Sequence, residues 1–305
     1  MEMAKVLLGQ TILMVIFMGV GVLLYKLKYL TAQGAEEISK LLLRVTIPLV
    51  IVKSFLVEFS SDLLSQILWS FLVAALCQLL SLLVAGLVFR KNRVLKFAAG
   101  YSNGGFVGIP LINSVLGSPG VLMVCGYVSY INVLQWTYGV YTLTGDKKVM
   151  SPGKILKNPV LWAFVLGLVL FFLQVQVPPL VMTGLTSLTG ITSPLAMIVL
   201  GTYLARMDLQ KMFKGAAGYL CVALRLVIIP VLTLLLLWPL PKEWDVMKTA
   251  VLIIASAPVG ANGVLFAGIF HLDAEEATRM VSLSTVLCVV TLPLIVLLAH
   301  ILWGM

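Results

Sequence analysis

Ser102-Asn103-Gly104-Gly105-Phe106-Val107-Gly108-Ile109-Pro110 lies in the middle of an apolar stretch long enough to cross a bilayer, and Ala257-Pro258-Val259-Gly260-Ala261-Asn262-Gly263 lies in the middle of another. A membrane helix normally runs unbroken at that depth, because hydrocarbon offers no partner to a freed N–H or C=O group. Glycine weakens a helix through backbone entropy, and proline ends one because it lacks the donor. Such breaks persist only where they are buried in protein or line a cavity. Two of them, one in each half of the chain, point to a site near the membrane midplane.

Composition sets the solvent. Apolar residues make up 61% and charged residues 11%, with a mean hydropathy of +1.09; soluble domains carry about 25% charged residues. The chain reads as an all-α polytopic membrane protein. Its net charge of +9 does not signal nucleic-acid binding, since the basic residues lie in short loops between apolar segments. Cys77, Cys125, Cys221 and Cys288 lie singly inside apolar segments, as small buried hydrophobes rather than metal ligands or a disulfide frame. No cofactor or metal is expected. The first apolar segment lacks a small-residue cleavage pattern and reads as a retained span, not a signal peptide.

Ten spans fit the hydropathy, at roughly 20 residues per crossing: 6–25, 36–57, 63–89, 94–117, 119–142, 156–174, 180–204, 212–238, 244–271 and 274–303. Alternate loops then hold fourteen basic residues, among them Lys26, Arg90, Arg93, Lys147, Lys154, Arg206, Lys211, Lys214 and Arg279, against Lys5, Lys242 and Lys248 on the other side. The rich side is expected to be cytoplasmic, which places both termini outside a cell (inner) membrane. The halves repeat. Pro48 precedes Asp62-Leu63 by fourteen residues, as Pro194 precedes Asp208-Leu209; Gly108 precedes Ser118 by ten, as Gly263 precedes Asp273. Ser118 with Pro119, and Asp273 with Glu276, carry helix-start signals. Five spans per repeat is odd, so the repeat is expected to be inverted: residues 1–142, a cytoplasmic linker 143–155, and residues 156–305.

These motifs resemble the auxin efflux carrier family, over essentially the whole chain. Ser102–Pro110, Ala257–Gly263, Leu283-Ser-Thr-Val-Leu and Thr291-Leu-Pro293 carry the likeness. The resemblance implies a fold similar to the bile-acid sodium symporters, with a panel of spans 1, 2, 6 and 7 against a core of spans 3–5 and 8–10. It also implies that spans 4 and 9 unwind and cross at the substrate site. Plant members dimerise, so it implies a homodimer. The long cytosolic loop of plant carriers between spans five and six is missing, and auxin itself is not implied.

The candidate substrate-binding residues are Asn103, Gly104, Gly105, Pro258, Asn262, Asn132, Gln135 and Arg225. Helix halves restarting at about Gly105 and Ala261 would present free N–H groups and partial positive charge, an anion site. Asn103 and Asn262 add donors without adding buried charge, and Asn132 and Gln135 are two amides within one turn. Gln78, Ser282, Ser284 and Thr285 rank below them. Arg225 has apolar neighbours on both sides; it would hold an anion or tie free carbonyls together, and the sequence leaves both open. Arg44 and Lys53 are expected to snorkel, His271 and His300 to sit at interfaces, and Pro48 and Pro194 to kink their helices. None of the twelve acidic residues lies deep in a span, which argues against a proton relay.

The expectation is a secondary transporter, not an enzyme, moving a small organic anion such as a carboxylate outward by alternating access. A sodium- or proton-coupled symporter on the same fold is the alternative.

Overall fold

The computed structural model describes residues 2–146, 148, 153, 156–206 and 216–304, the side chains of 2–8, 11 and 216 excepted. These residues are almost wholly helical, and no strand forms among them. The helices are α1 (Glu2–Lys26), α2 (Ala32–Leu41), α3 (Ile47–Ser54), α4 (Ser61–Val88), α5 (Arg93–Gly100), α6 (Ile109–Leu134), α7 (Val140–Thr144) and α8 (Pro159–Leu173). They continue with α9 (Pro179–Gly190), α10 (Thr192–Ala205), α11 (Ala216–Ala223), α12 (Ile229–Leu237), α13 (Asp245–Ser256), α14 (Asn262–Ile269) and α15 (Ala274–Trp303). The repeat landmark Asp208-Leu209, Lys147, Lys154, Lys211, Lys214, the start of the expected eighth span and most of the linker 143–155 lie outside the described residues.

Among the described residues, five continuous helical runs are long and apolar enough to cross a membrane: Ser61–Val88, Gly104–Thr144, Pro179–Ala205, Ala217–Leu237 and Ala274–Trp303; Ile12–Lys26 and Pro159–Leu173 are shorter apolar helices. The 41-residue run Gly104–Thr144 would measure about 60 Å if straight, twice the hydrocarbon thickness. It turns at Gly117, whose φ of 64° and ψ of −160° belong to a region that only glycine enters readily. The boundary expected between residues 117 and 119 is therefore a property of one glycine, with Pro119 starting the helix beyond it.

Helix starts have local causes. Ser60 accepts the N–H of Leu63 ahead of α4, Asn92 that of Leu95 ahead of α5, Asn158 that of Val160 ahead of α8, and Asp273 that of Glu276 ahead of α15, each satisfying an orphan donor. A second local rule was not foreseen. Turns of π-helix occupy Leu42–Thr46, Gly104–Gly108 and Leu224–Ile228, and each is followed by an Ile-Pro pair: Ile47-Pro48, Ile109-Pro110 and Ile229-Pro230. Proline has no N–H and its ring collides with the carbonyl four residues back. Widening the turn sends the preceding isoleucine's N–H five residues back, to Leu42, Gly104 and Leu224, and relieves the collision. A fourth π turn, Gln135–Gly139, lacks a proline.

Packing centres on α13, where every residue from Met247 to Ser256 is buried; a helix apolar all round belongs in a core. It lies against α6, α4, α12 and α15. Glycines allow two close approaches. A Cβ on Gly108 would stand 2.4 Å from Ile254 Cδ1, so the restarted helix sits directly on α13. Where α1 crosses α10, a Cβ on Gly21 would meet Ile198 O, and one on Gly201 would meet Met18 O, both at 2.0 Å. Small residues let membrane helices touch backbone to backbone. His300, expected at an interface, lies in the last turn of α15 and is buried there against the rest of the protein.

Candidate functional site

The two sequence breaks meet. The first unwinds at Tyr101–Asn103, between α5 and the π turn that begins at Gly104, and the second at Ala257–Ala261, between α13 and α14. The glycines Gly104 and Gly105 thus open the second half-helix rather than close the first. Ser102 and Val259 form an antiparallel bridge. Asn103 N donates to Pro258 O at 2.8 Å, and Gly260 N to Tyr101 O at 3.0 Å. Each break supplies the backbone partner that the other lost.

The half-helices ending at the crossing have their carbonyls taken up by side chains. Gln78 Nε2 and Ser81 Oγ both donate to Gly100 O, at 2.9 and 3.1 Å. Arg225 donates through Nε to Ala257 O at 3.2 Å, through Nη1 to Ser81 Oγ at 3.2 Å and Ala99 O at 3.3 Å, and through Nη2 to Ala255 O. Ser284 Oγ accepts from Val259 N at 3.0 Å. Of the two uses the sequence left open for Arg225, this geometry is that of a tie between carbonyls. Its side chain, 2% exposed, does not line the cavity described below.

The half-helices starting at the crossing are left open. Val107 N is the first to bond back, to Asn103 O at 3.1 Å, and Gly263 N reaches Gly260 O at 3.1 Å. The N–H groups of Gly104, Gly105 and Phe106, and of Ala261 and Asn262, precede those bonds, and no side chain caps either start. Such unpaired amides carry the positive end of the helix dipole.

These open ends face a cavity of about 1570 Å³. Ser102, Asn103, Gly105 and Phe106 line it from the first break, Gly260, Ala261 and Asn262 from the second, and Asn132, Gln135 and Trp136 from the helix between. Asn262 Nδ2 donates to Gln135 Oε1 at 2.6 Å, which joins the two amides that line the cavity from opposite halves of the chain. Asn132 Nδ2 donates to Val128 O of its own helix at 2.8 Å, so its carbonyl oxygen is its freer group. The Asn103 side chain makes no hydrogen bond among the described residues. Behind the amides, Trp136 and Phe97 pack on Phe266 at centroid distances of 4.7 and 5.7 Å. The lining continues past Arg44, in the π turn Leu42–Thr46, to Glu36, Lys157, Arg206, Glu275 and Arg279, which belong to loops and helix ends on the side rich in basic residues. The cavity therefore runs from the crossing to that side.

Among the sequence candidates, Asn103, Gly105, Asn132, Gln135 and Asn262 come together on this cavity, as do Ser282 and Thr285 of lower rank. Gly104, Pro258, Gln78, Ser284 and Arg225 do not line it; Gly104 and Pro258 belong to the crossing's backbone. Arg44, expected to snorkel, is exposed and borders the cavity. Sequence reasoning missed Ser102, Phe106 and Trp136. Trp136 carried a signal, since it directly follows Gln135.

Comparison with known proteins fits this geometry. A family model described as membrane transport protein matches residues 7–152 and again 145–296. A Methanothermobacter thermautotrophicus protein described as an uncharacterized transporter is 29% identical over 285 residues, covering 88% of this chain and 92% of the relative.

Proposed function

The chain belongs to the membrane transport protein family that includes the auxin efflux carriers, and from that premise we propose that it exports a small organic anion by alternating access. The observation that carries the reading is the asymmetry of the crossing. The carbonyl ends of the broken helices are tied off by Arg225, Gln78 and Ser81, whereas their amide ends, with Asn103, Gln135 and Asn262, face the cavity. Donors without a fixed negative partner suit a carboxylate, whose charge the two helix starts stabilise. Phe106, Ile131, Trp136 and Val264 give the same cavity apolar walls, which favour an acid with an apolar or aromatic body.

In the proposed arrangement ten spans form a 5+5 inverted repeat in the cell membrane with both termini outside. The basic side is cytoplasmic, so this conformation is open inward. Spans 3–5 and 8–10 move as a core against a panel of spans 1, 2, 6 and 7. Ser193 Oγ, on the panel helix α10, donates to Pro110 O beside the crossing at 2.5 Å; this bond would break as the core moves. One negative charge leaving a negative-inside cell gains ~2.3 kcal/mol per 100 mV, enough to drive export without a coupled cation. The test is efflux of labelled organic acids from proteoliposomes with sodium and proton gradients separately collapsed. Efflux that follows membrane potential alone supports the reading; full dependence on either gradient ends it in favour of coupled transport.

A further inference from the structure

Arg225 is the largest fully buried side chain among the described residues, and it has no carboxylate partner among them. Its neighbours are oxygens of another kind: the carbonyls of Ala99, Ala255 and Ala257 and the hydroxyl of Ser81. The carbonyls come from the last turns of two helices, α5 and α13, that end at the crossing from opposite halves of the chain. Each helix end carries roughly half a negative charge, so two of them together match about one positive charge. Helix C-terminal ends and unwound carbonyls of this kind are what membrane proteins use to coordinate alkali cations. A guanidinium, always charged and with five donors in a planar fork, satisfies the same oxygens without dissociating.

We propose that this carbonyl cage is a monovalent-cation site that the protein fills with its own side chain. Arg225 reaches it because the π turn Leu224–Ile228 ahead of Pro230 widens the helix at that point. The negative ends of both broken helices are thereby neutralised in every conformation that keeps α5 and α13 together. For transport, which rests on the reading above, the place beside the crossing where a coupling cation would otherwise bind is permanently occupied. The site itself is a claim about binding and stands apart from transport.

The experiment measures melting temperature of the purified protein in equal concentrations of sodium, potassium and choline chloride, for wild type and Arg225→Ala, with and without millimolar guanidinium. Wild type is expected to melt alike in the three salts and to gain nothing from guanidinium. Arg225→Ala, with three buried carbonyls left unpaired, is expected to melt on the order of 10 °C lower and to regain about half of that loss with guanidinium, through binding to the emptied cage. A saturable, sodium-specific rise in wild type overturns the proposal, as does a guanidinium response no greater in the variant than in wild type. If the alanine variant folds only when purified with guanidinium, that supports the cage. If it folds in neither condition, Arg225→Lys decides: a point charge reaches fewer oxygens than the fork, so a melting temperature below wild type is expected and one equal to it overturns the proposal. Because the readout is thermal, failure here leaves the transport reading standing, and failure of efflux leaves the cage standing.

Discussion

Replacing Asn103 and Asn262 separately by Ala distinguishes a ligand site from a structural mend, because the two amides differ in what they hold. Asn262 Nδ2 is bonded to Gln135 Oε1 at 2.6 Å, so Asn262→Ala removes one internal hydrogen bond. That is worth about 1 kcal/mol, or roughly 2–4 °C in melting temperature for a chain of this size. The Asn103 side chain has no partner among the described residues, so Asn103→Ala should leave stability within about 0.5 kcal/mol of wild type. Its effect on an anion differs. A hydrogen bond to a charged group contributes about 1.5–3 kcal/mol, so affinity should fall by roughly 10- to 150-fold. Thermal-shift screening against a panel of organic acids identifies the ligand, and counterflow in proteoliposomes measures the loss. The expected pattern is a stable Asn103→Ala protein that binds poorly, beside a slightly destabilised Asn262→Ala protein that also binds poorly. Normal binding and counterflow by Asn103→Ala would refute the reasoning, since an unpartnered amide in the cavity would then have no ligand to meet.

Further perturbations test the frame that carries the site. Ala at Gly21 or at Gly201 puts a Cβ into the opposing backbone and should cost about 1–3 kcal/mol; once either has pushed α1 and α10 apart the second should add little, and a double-mutant cycle by thermal melting checks this. Gly117→Ala forces a side chain into the φ of 64° at the turn within α6 and should cost about 1–3 kcal/mol, read as lost melting temperature and folded yield. On α13, Lys248 is 2% exposed and pairs with Asp245, 24% exposed, at 2.5 Å, with its Nζ 5.0 Å from the Trp303 ring. Asp245→Asn strands a buried cation and should cost about 3–5 kcal/mol; Lys248→Met leaves the buried Oδ1 of Asp245 unpaired, but that side chain is 24% exposed and can turn its charge to solvent, so the loss should be smaller. Equal losses on denaturation would show that burial does not govern that pair.

Much of the layout was written locally. Apolar length, cap residues such as Ser60 and Asp273, and the glycine at 117 announce helices and their ends because each acts within a few residues of itself. The Ile-Pro pairs at 47, 109 and 229 were equally local, yet their meaning was not drawn, since proline usually signals a kink and the widened turn is its less common accommodation. The amides Asn103, Gln135 and Asn262 stood out because polar side chains are rare in such segments. Arg225 stood out for the same reason, but its use did not, because an arginine among apolar neighbours reads the same whether an anion or a set of carbonyls lies opposite.

By itself the chain determined its solvent, its helical segments and the two places where helix cannot continue, all consequences of what each residue does to its own backbone in hydrocarbon. Only the tertiary structure decided how those broken ends are satisfied: Tyr101 and Asn103 pair with Gly260 and Pro258 across about 155 residues of sequence, and Arg225 reaches the carbonyls of both. Hydrogen bonding is short-ranged and blind to separation along the chain. Which free groups are mended and which are left for a ligand is therefore fixed only when the two halves are packed together.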